Sequence, residues 1–308
     1  MRPEIDVDAL LRQAAAELGQ SFQDWHQPDA GADHVVVLVT TTLGERLVIK
    51  AGAEAEVDAF VLTRLAGRGV NVPRLIVQAP LEDHPDAGSL IVMTAVDGTL
   101  LADVDQHAER YLRPLIDEMR KVHAVTTTAG AGPVLAVERG ARLSWRDYLM
   151  AVLTGHDPEF RWAEITRHPE VDAGLLSRAL DTVVMRAQEL VFPTTLSLLH
   201  GDLNPYNIFV RDGEITGIID WSYARYGDPL FDFARLRMNP FVRSNPAAVQ
   251  EYRAHLNLSA EEASREAFYY VVNLLEYVNW YFLYGDLLRV REQLTLIEVE
   301  MERGGLTE

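Results

Sequence analysis

Cysteine is absent from all 308 residues. That removes disulfides, thiolate metal sites and cysteine nucleophiles together. Basic residues are scarce: 28 lysines and arginines stand against 46 aspartates and glutamates, a formal net charge of −18 at pH 7. A field of that sign repels nucleic-acid phosphates and anionic membranes and favours cationic ligands, so neither nucleic acid nor a membrane is expected as a partner. No run reaches the roughly 18 uncharged apolar residues that a membrane span needs. The start, Met1-Arg2-Pro3-Glu4-Ile5-Asp6, is too acidic for a signal peptide. The expected compartment is the cytoplasm. Internal repeats and low-complexity tracts are missing as well. The 48% hydrophobic and 24% charged residues are those of a globular chain, long enough for one large domain or two lobes.

Within that chain, apolar residues Val7, Leu10, Leu11, Ala14, Ala15 and Leu18 predict a helix over Val7–Leu18. A β-branched run over His34–Thr41, the turn Leu43-Gly44-Glu45 and the run Arg46–Lys50 predict two strands. A helix follows over Glu54–Leu65, then strands near Arg74–Gln78 and over Leu90–Thr94. Beyond Ala108 the pattern turns helical, over Tyr111–Val125, Trp145–Leu153, Leu175–Leu190 and one long helix from about Ala260 to Val290. Ser144 with Asp147, and Ser259 with Glu262, have capping-box spacing at two of these starts. Ala129-Gly130-Ala131-Gly132-Pro133 reads as a linker. Short strands over Ser197–His200, Ile208–Val210 and Ile215–Ile219 interrupt the helices, the last two joined by the hairpin signal Asp212-Gly213. The expected fold is α+β, with a β-rich small lobe over residues 1–96 and a mainly helical large lobe over 97–308.

No G-x-x-x-x-G-K-S/T loop, G-x-G-x-x-G fingerprint, H-E-x-x-H pair or G-x-S-x-G elbow occurs. The informative stretch is Leu199-His200-Gly201-Asp202-Leu203-Asn204-Pro205-Tyr206-Asn207-Ile208, followed by Ile218-Ile219-Asp220-Trp221. It sets polar residues between apolar strands, where a core would exclude them. An Asp-x-x-x-x-Asn spacing suits phosphoryl transfer to a hydroxyl. Asp202 would accept or orient the hydroxyl, while the amide oxygen of Asn207 and the carboxylate of Asp220 would ligate Mg²⁺ against nucleotide phosphates.

These residues resemble the signature of the aminoglycoside phosphotransferase family, relatives of the eukaryotic protein kinases. Val48-Ile49-Lys50 is similar to the family's small-lobe lysine strand, and Gly227-Asp228-Pro229-Leu230-Phe231-Asp232 to the segment after its metal-binding aspartate. Ser144-Trp145-Arg146-Asp147-Tyr148 and Asp220-Trp221-Ser222 are similar to its hygromycin B phosphotransferase branch. The resemblance implies a two-lobed kinase-like fold, ATP or GTP with Mg²⁺ as cofactors, and a small cationic acceptor of the aminoglycoside type. It implies that Lys50 holds nucleotide phosphates and pairs with a carboxylate of the following helix, Glu54 or Asp58. It further implies that the Thr94-Ala95-Val96 backbone binds adenine. Asp29-Ala30-Gly31-Ala32-Asp33-His34, with one usable glycine, takes the place of the family's phosphate loop. Gly201 stands where most protein kinases carry a basic residue that clamps a phosphorylated loop, which favours a small-molecule acceptor and constitutive activity.

On the last long helix, Asn273, Glu276, Tyr277, Trp280 and Tyr284 recur at helical spacing. An aromatic face with one acid suits a sugar-like cation, and packing against a neighbouring helix explains it equally well. Asn204, Trp221, Glu276 and Trp280 are the candidate acceptor contacts. A metabolite or macrolide kinase of the same fold, and a nucleotide-binding pseudokinase module, are the alternative functions.

Overall fold

The computed structural model of the protein describes residues 5–28, 35–83, 88–104 and 107–303. The expected phosphate loop, 29–34, lies outside them. The chain forms two compact units: one holds the residues up to Val125 together with Asn204–Ala224, the other Thr126–Leu203 and the chain from Arg225 onward. The first unit thus contains, besides 1–96, the stretches 97–125 and 204–224. The elements are α+β as expected, and no described helix is long and apolar enough to cross a membrane.

The first unit is built on strands β1 (Phe22–His26), β2 (Val35–Thr41), β3 (Arg46–Gly52), β4 (Leu75–Pro80) and β5 (Ser89–Thr94), in the antiparallel order β1-β2-β3-β5-β4. Strand alternation gives this sheet two unlike faces. Val37, Val39, Leu47, Ile49, Ala51, Leu90 and Val92 pack on one side against Leu10, Leu11 and Ala14 of helix α1 (Val7–Leu18). Asp6 starts that helix by accepting from the Asp8 N–H, and Gly19 ends it in the left-handed region. On the other face the register places Val36 and Ile91 opposite Lys50, and Leu38 and Met93 opposite Val48. Helix α2 (Ala53–Leu65) packs on β5 and β3 with Ala55, Ala59, Val61 and Leu62 buried. A second sheet in this unit joins β6 (Thr99–Leu100) to the hairpin β10 (Ile208–Arg211) and β11 (Glu214–Ile218), with helix α3 (Leu112–His123) against β11.

The second unit carries a sheet of β7 (Thr126–Thr127), β8 (Gly132–Pro133), β9 (Leu196–Leu199) and β12 (Arg225–Gly227), in the order β7-β9-β12-β8. Helices α4 (Val134–Glu138), α5 (Trp145–Leu153), α6 (Trp162–Arg167) and α7 (Ala173–Glu189) come before β9. Helices α8 (Leu230–Arg237), α9 (Pro240–Arg243), α10 (Pro246–Leu256), α11 (Ala260–Leu283) and α12 (Leu287–Glu302) follow β12. Both expected capping serines work: Ser144 accepts from the Asp147 N–H, and Ser259 and Glu262 form the reciprocal box.

Three expectations need correction. The long helix over 260–290 is two helices, because Gly285 turns into the left-handed region and Asp286 caps α12 through the Arg289 N–H. The end of the Ala129–Pro133 linker, Gly132–Pro133, is a strand of the sheet, with Gly132 paired to Tyr226, close against the Tyr148 ring and at a positive φ that disfavours a side chain. Strand β1 was not expected, since an edge strand with four exposed residues shows no alternation.

Candidate active site

In the first unit the chemistry gathers at the end of β3. Lys50 is buried, and its Nζ donates to Asp58 Oδ2 at 2.5 Å, Asp220 Oδ1 at 2.9 Å and the Ser222 hydroxyl at 3.1 Å. Burial works against the ammonium charge, but the two carboxylates outweigh it and hold the lysine above its ordinary pKa. Of the two candidate partners on α2, Asp58 is the one on the lysine; Glu54 lies one turn earlier and is half-buried. An aspartate suffices here because α2 begins immediately after β3, at Ala53, and Asp58 needs only a short side chain to reach back. Its other oxygen accepts the Trp221 N–H at 2.9 Å, so one carboxylate ties the lysine to the segment that carries Asp220.

Asp220 sits in the left-handed region, φ 60, a conformation that aspartate tolerates better than most residues. Ser222 donates its hydroxyl to Asp220 Oδ1 at 2.6 Å. Asp220 is a third exposed whereas Asp58 is enclosed. The Ile219 N–H donates to the Asn207 carbonyl at 2.9 Å, which brings Asn207 beside the Asp220 segment. Asn204 accepts the Tyr206 N–H and caps the short turn Pro205–Asn207. Among the described residues no group of three or more His, Asp or Glu is placed to hold a metal. The candidate donor types, the Asp220 carboxylate and the Asn207 amide oxygen, suit an ion such as Mg²⁺ that completes its shell with waters and substrate phosphates.

The backbone expected to meet adenine is partly committed. The Thr94 N–H donates to the Arg74 carbonyl and the Ala95 N–H to the Arg46 carbonyl. Val96 lies with its side chain on Gly217 of β11, close enough that any β-carbon there would overlap it. Three half-buried apolar residues, Val36, Leu38 and Val48, share the Lys50 face of the sheet. Single residues in β-branched runs give no sign of this platform in sequence.

Asp202 belongs to the second unit. His200, fully buried, accepts the Asp202 N–H on Nδ1 at 3.2 Å. Asp232 of α8 accepts the His200 and Gly201 N–H groups, each at 2.9 Å. Below them lies a buried charge network. Glu276 takes Arg225 Nη1 on one oxygen at 2.8 Å and Arg235 Nη2 on the other at 3.0 Å. Arg235 Nη2 also donates to the Gly201 carbonyl at 2.8 Å, and Arg225 reaches the Tyr148 hydroxyl. Burial is the main cause that lifts the Tyr148 phenol to about 12, so it stays protonated.

Two of the candidate acceptor residues are therefore structural. Trp221 is 1% exposed, its indole donating to the Ile218 carbonyl. Glu276 is 8% exposed with both oxygens on arginines. Trp280 is half-buried in an aromatic cluster with Tyr281 and Tyr284. Arg235 escaped sequence reasoning, and Ser222 and Tyr277 were noted there without their bonds to Lys50 and Asp202, because those partners are distant in the chain.

Against known proteins, the model of a phosphotransferase enzyme family, APH, matches residues 24–268. A hygromycin-B 4-O-kinase of Escherichia coli is 23% identical over 182 residues, 58% of this chain and 51% of that protein. The uncharacterized protein YcbJ of Bacillus subtilis (strain 168) is 27% identical over 216 residues, 67% of this chain and 63% of that protein. The matches thus span from about half to under two-thirds of those two relatives. Among solved structures, a thermostable mutant of aminoglycoside phosphotransferase APH(4)-Ia, in a ternary complex with ADP and hygromycin B, superposes with a TM-score of 0.74. It is 19% identical, and the match covers 96% of this chain and 99% of that one. That likeness is one of fold.

Proposed function

Since the chain belongs to the phosphotransferase enzyme family, we propose that it transfers the γ-phosphoryl group of ATP or GTP to a hydroxyl of a small cationic molecule. A hygromycin-like aminocyclitol is the first choice, and resistance to such an antibiotic the biological result. The observation that carries the reading is the buried Lys50 bracketed by an enclosed Asp58 and a more open Asp220. The enclosed carboxylate serves to hold the lysine. The more exposed one, which meets Lys50 and Ser222 on one oxygen, is the carboxylate assigned to the cation.

In this reading Lys50 binds the α- and β-phosphates, and the Val36, Leu38 and Val48 platform packs on the base. The Val96 N–H donates to the base, since the N–H groups of Thr94 and Ala95 before it are already engaged. Asn207 and Asp220 hold Mg²⁺, which when bound neutralises phosphate charge. Asp202 orients the acceptor hydroxyl. As the acceptor oxygen bonds to the γ-phosphorus, the bond from that phosphorus to the β,γ-bridging oxygen breaks. The hydroxyl proton passes to Asp202, and the nucleoside diphosphate leaves with the electron pair. Catalysis of this kind is mostly positioning and charge neutralisation. The acceptor assignment is supported by the −18 charge and by relatives whose names include hygromycin B.

Mass spectrometry of products from Mg-ATP and a panel of hygromycin B, other aminoglycosides, a macrolide, choline and sugars tests the assignment. A phosphorylated aminoglycoside is expected, with a KM that rises with ionic strength as charges are screened beyond about 8 Å at 0.15 M. Efficient turnover of a neutral metabolite with no aminoglycoside product would leave the chemistry and overturn the acceptor. No transfer and no ATP hydrolysis would leave a binding module.

Asp220→Ala gives a narrower check. It is expected to weaken Mg-ATP by tenfold or more and metal-free ATP far less, because the carboxylate would touch phosphates only through the metal. Calorimetric titrations with and without Mg²⁺ decide it, and equal losses in both would remove Asp220 from the metal site.

A further inference from the structure

Tyr277 is part of the helix face that sequence periodicity marked for acceptor binding, yet its hydroxyl points elsewhere. It donates to Asp202 Oδ1 at 3.2 Å. The ring lies under the Arg235 guanidinium, whose carbon is 4.3 Å from the ring centroid. Arg235 is itself buried and held by Glu276 and the Gly201 carbonyl. Its Nε and Nη1 have no hydrogen-bond partner among the described residues, so the aromatic face is what compensates the buried cation there. Arg235 thus grips the backbone one residue before Asp202 and also packs on the residue that holds the Asp202 carboxylate. Both constraints trace to Glu276, which Arg225 fixes from its other side.

We propose that Tyr277 is a positioning residue for phosphoryl transfer, its hydroxyl fixing the orientation of the Asp202 carboxylate toward the acceptor. The inference rests on the role assigned to Asp202 above. An aspartate carboxylate can turn about both side-chain torsions, and proton transfer needs one orientation of it. A phenol donating to one oxygen selects that orientation, provided it remains protonated. Burial keeps the phenol above its ordinary pKa; Arg235 opposes the shift, and the Asp202 charge adds to it. The aromatic ring is required for packing on Arg235, and the hydroxyl alone for the carboxylate, so the two roles can be separated by substitution.

Tyr277→Phe keeps the ring and removes only the hydroxyl. With Mg-ATP and hygromycin B as acceptor, and with water as the acceptor in an ATP-hydrolysis assay, kcat is expected to fall about tenfold, the worth of one hydrogen bond to a charged group. KM for ATP should stay within about twofold, and the urea midpoint should fall by no more than the loss of one hydrogen bond, well short of the fall in Tyr277→Leu. Tyr277→Leu, which also uncovers Arg235, should lower both kcat and the urea midpoint. A Tyr277→Phe enzyme with wild-type kcat in both assays, while Asp202→Asn is inactive, overturns this proposal alone. A loss confined to KM or to stability overturns it equally. Wild-type protein that transfers phosphate to no acceptor of the panel above and does not hydrolyse ATP overturns the assigned chemistry and this role with it.

Discussion

Exchanging Asp202 for asparagine is expected to lower kcat by about 10²–10⁴-fold, the usual worth of a positioned general base. Nucleotide affinity should stay near the wild-type value by calorimetry. Lys50, Asp58, Asn207 and Asp220, which the reading assigns to the nucleotide and its metal, belong to the other compact unit. The fold should survive as well. The side chain keeps its shape, asparagine Oδ1 still accepts from Tyr277, and the backbone N–H still meets His200 Nδ1. What is lost is the negative charge and the capacity to take a proton from the acceptor. Steady-state kinetics beside a nucleotide titration give the answer. More than about a tenth of wild-type turnover would count against a proton-accepting role for this residue.

Glu276→Gln is expected to damage stability rather than acceptor affinity. Both oxygens of Glu276 are engaged by buried guanidinium groups, Arg225 at 2.8 Å and Arg235 at 3.0 Å. Removing the one carboxylate between them leaves two desolvated cations facing each other, and breaking a buried pair in this way costs about 3–5 kcal/mol. At roughly 2–4 °C per kcal/mol for a sizeable domain, the melting temperature should fall by roughly 6 °C or more. Loss of the Arg235 anchor also frees the Gly201 carbonyl, so kcat should drop with stability. Thermal and urea unfolding read the first effect. An unchanged melting temperature with a raised KM for the acceptor would return Glu276 to the ligand.

Whether Glu276 faces ligand or core could not be read from periodicity. The helix Ala260–Leu283 is apolar or aromatic nearly all round, and Glu266, Asn273, Glu276 and Asn279 on it are all buried. A hydrophobic period marks a face only when the opposite face is polar. These polar residues are instead engaged by groups elsewhere in the chain, Asn279 by the Glu159 carbonyl and the Arg161 N–H, Glu276 by Arg225 and Arg235, and the Asn273 amide by the Phe231 carbonyl. Trp221 misled for the same reason. Beside Asp220 in sequence, it looks like a site residue, but its side chain turns under the loop and its N–H serves Asp58.

Local chemistry, by contrast, was legible. The limits of Val7–Leu18 and Trp145–Leu153 follow from apolar spacing together with Asp6, Gly19 and Ser144 as terminal residues. The hairpin at Asp212-Gly213 follows from the two positive φ angles that its turn requires. The Asp-x-x-x-x-Asn spacing and the following aspartate marked the candidate catalytic stretch, because polar residues set between buried strands need a particular reason to be there. Such signals are carried by neighbours within a few residues, where backbone geometry alone dictates the outcome. The choice between Glu54 and Asp58 for Lys50, the buried Glu276 network and the hold of Tyr277 on Asp202 each join residues from separate elements. Both candidate carboxylates lie one turn apart on the same helix face, and only the seating of that helix on the sheet selects Asp58. Sequence by itself determined the α+β class, most of the elements and the family resemblance; tertiary structure decided where the long helix breaks and which side chains meet, because packing sets distances that spacing along the chain does not contain.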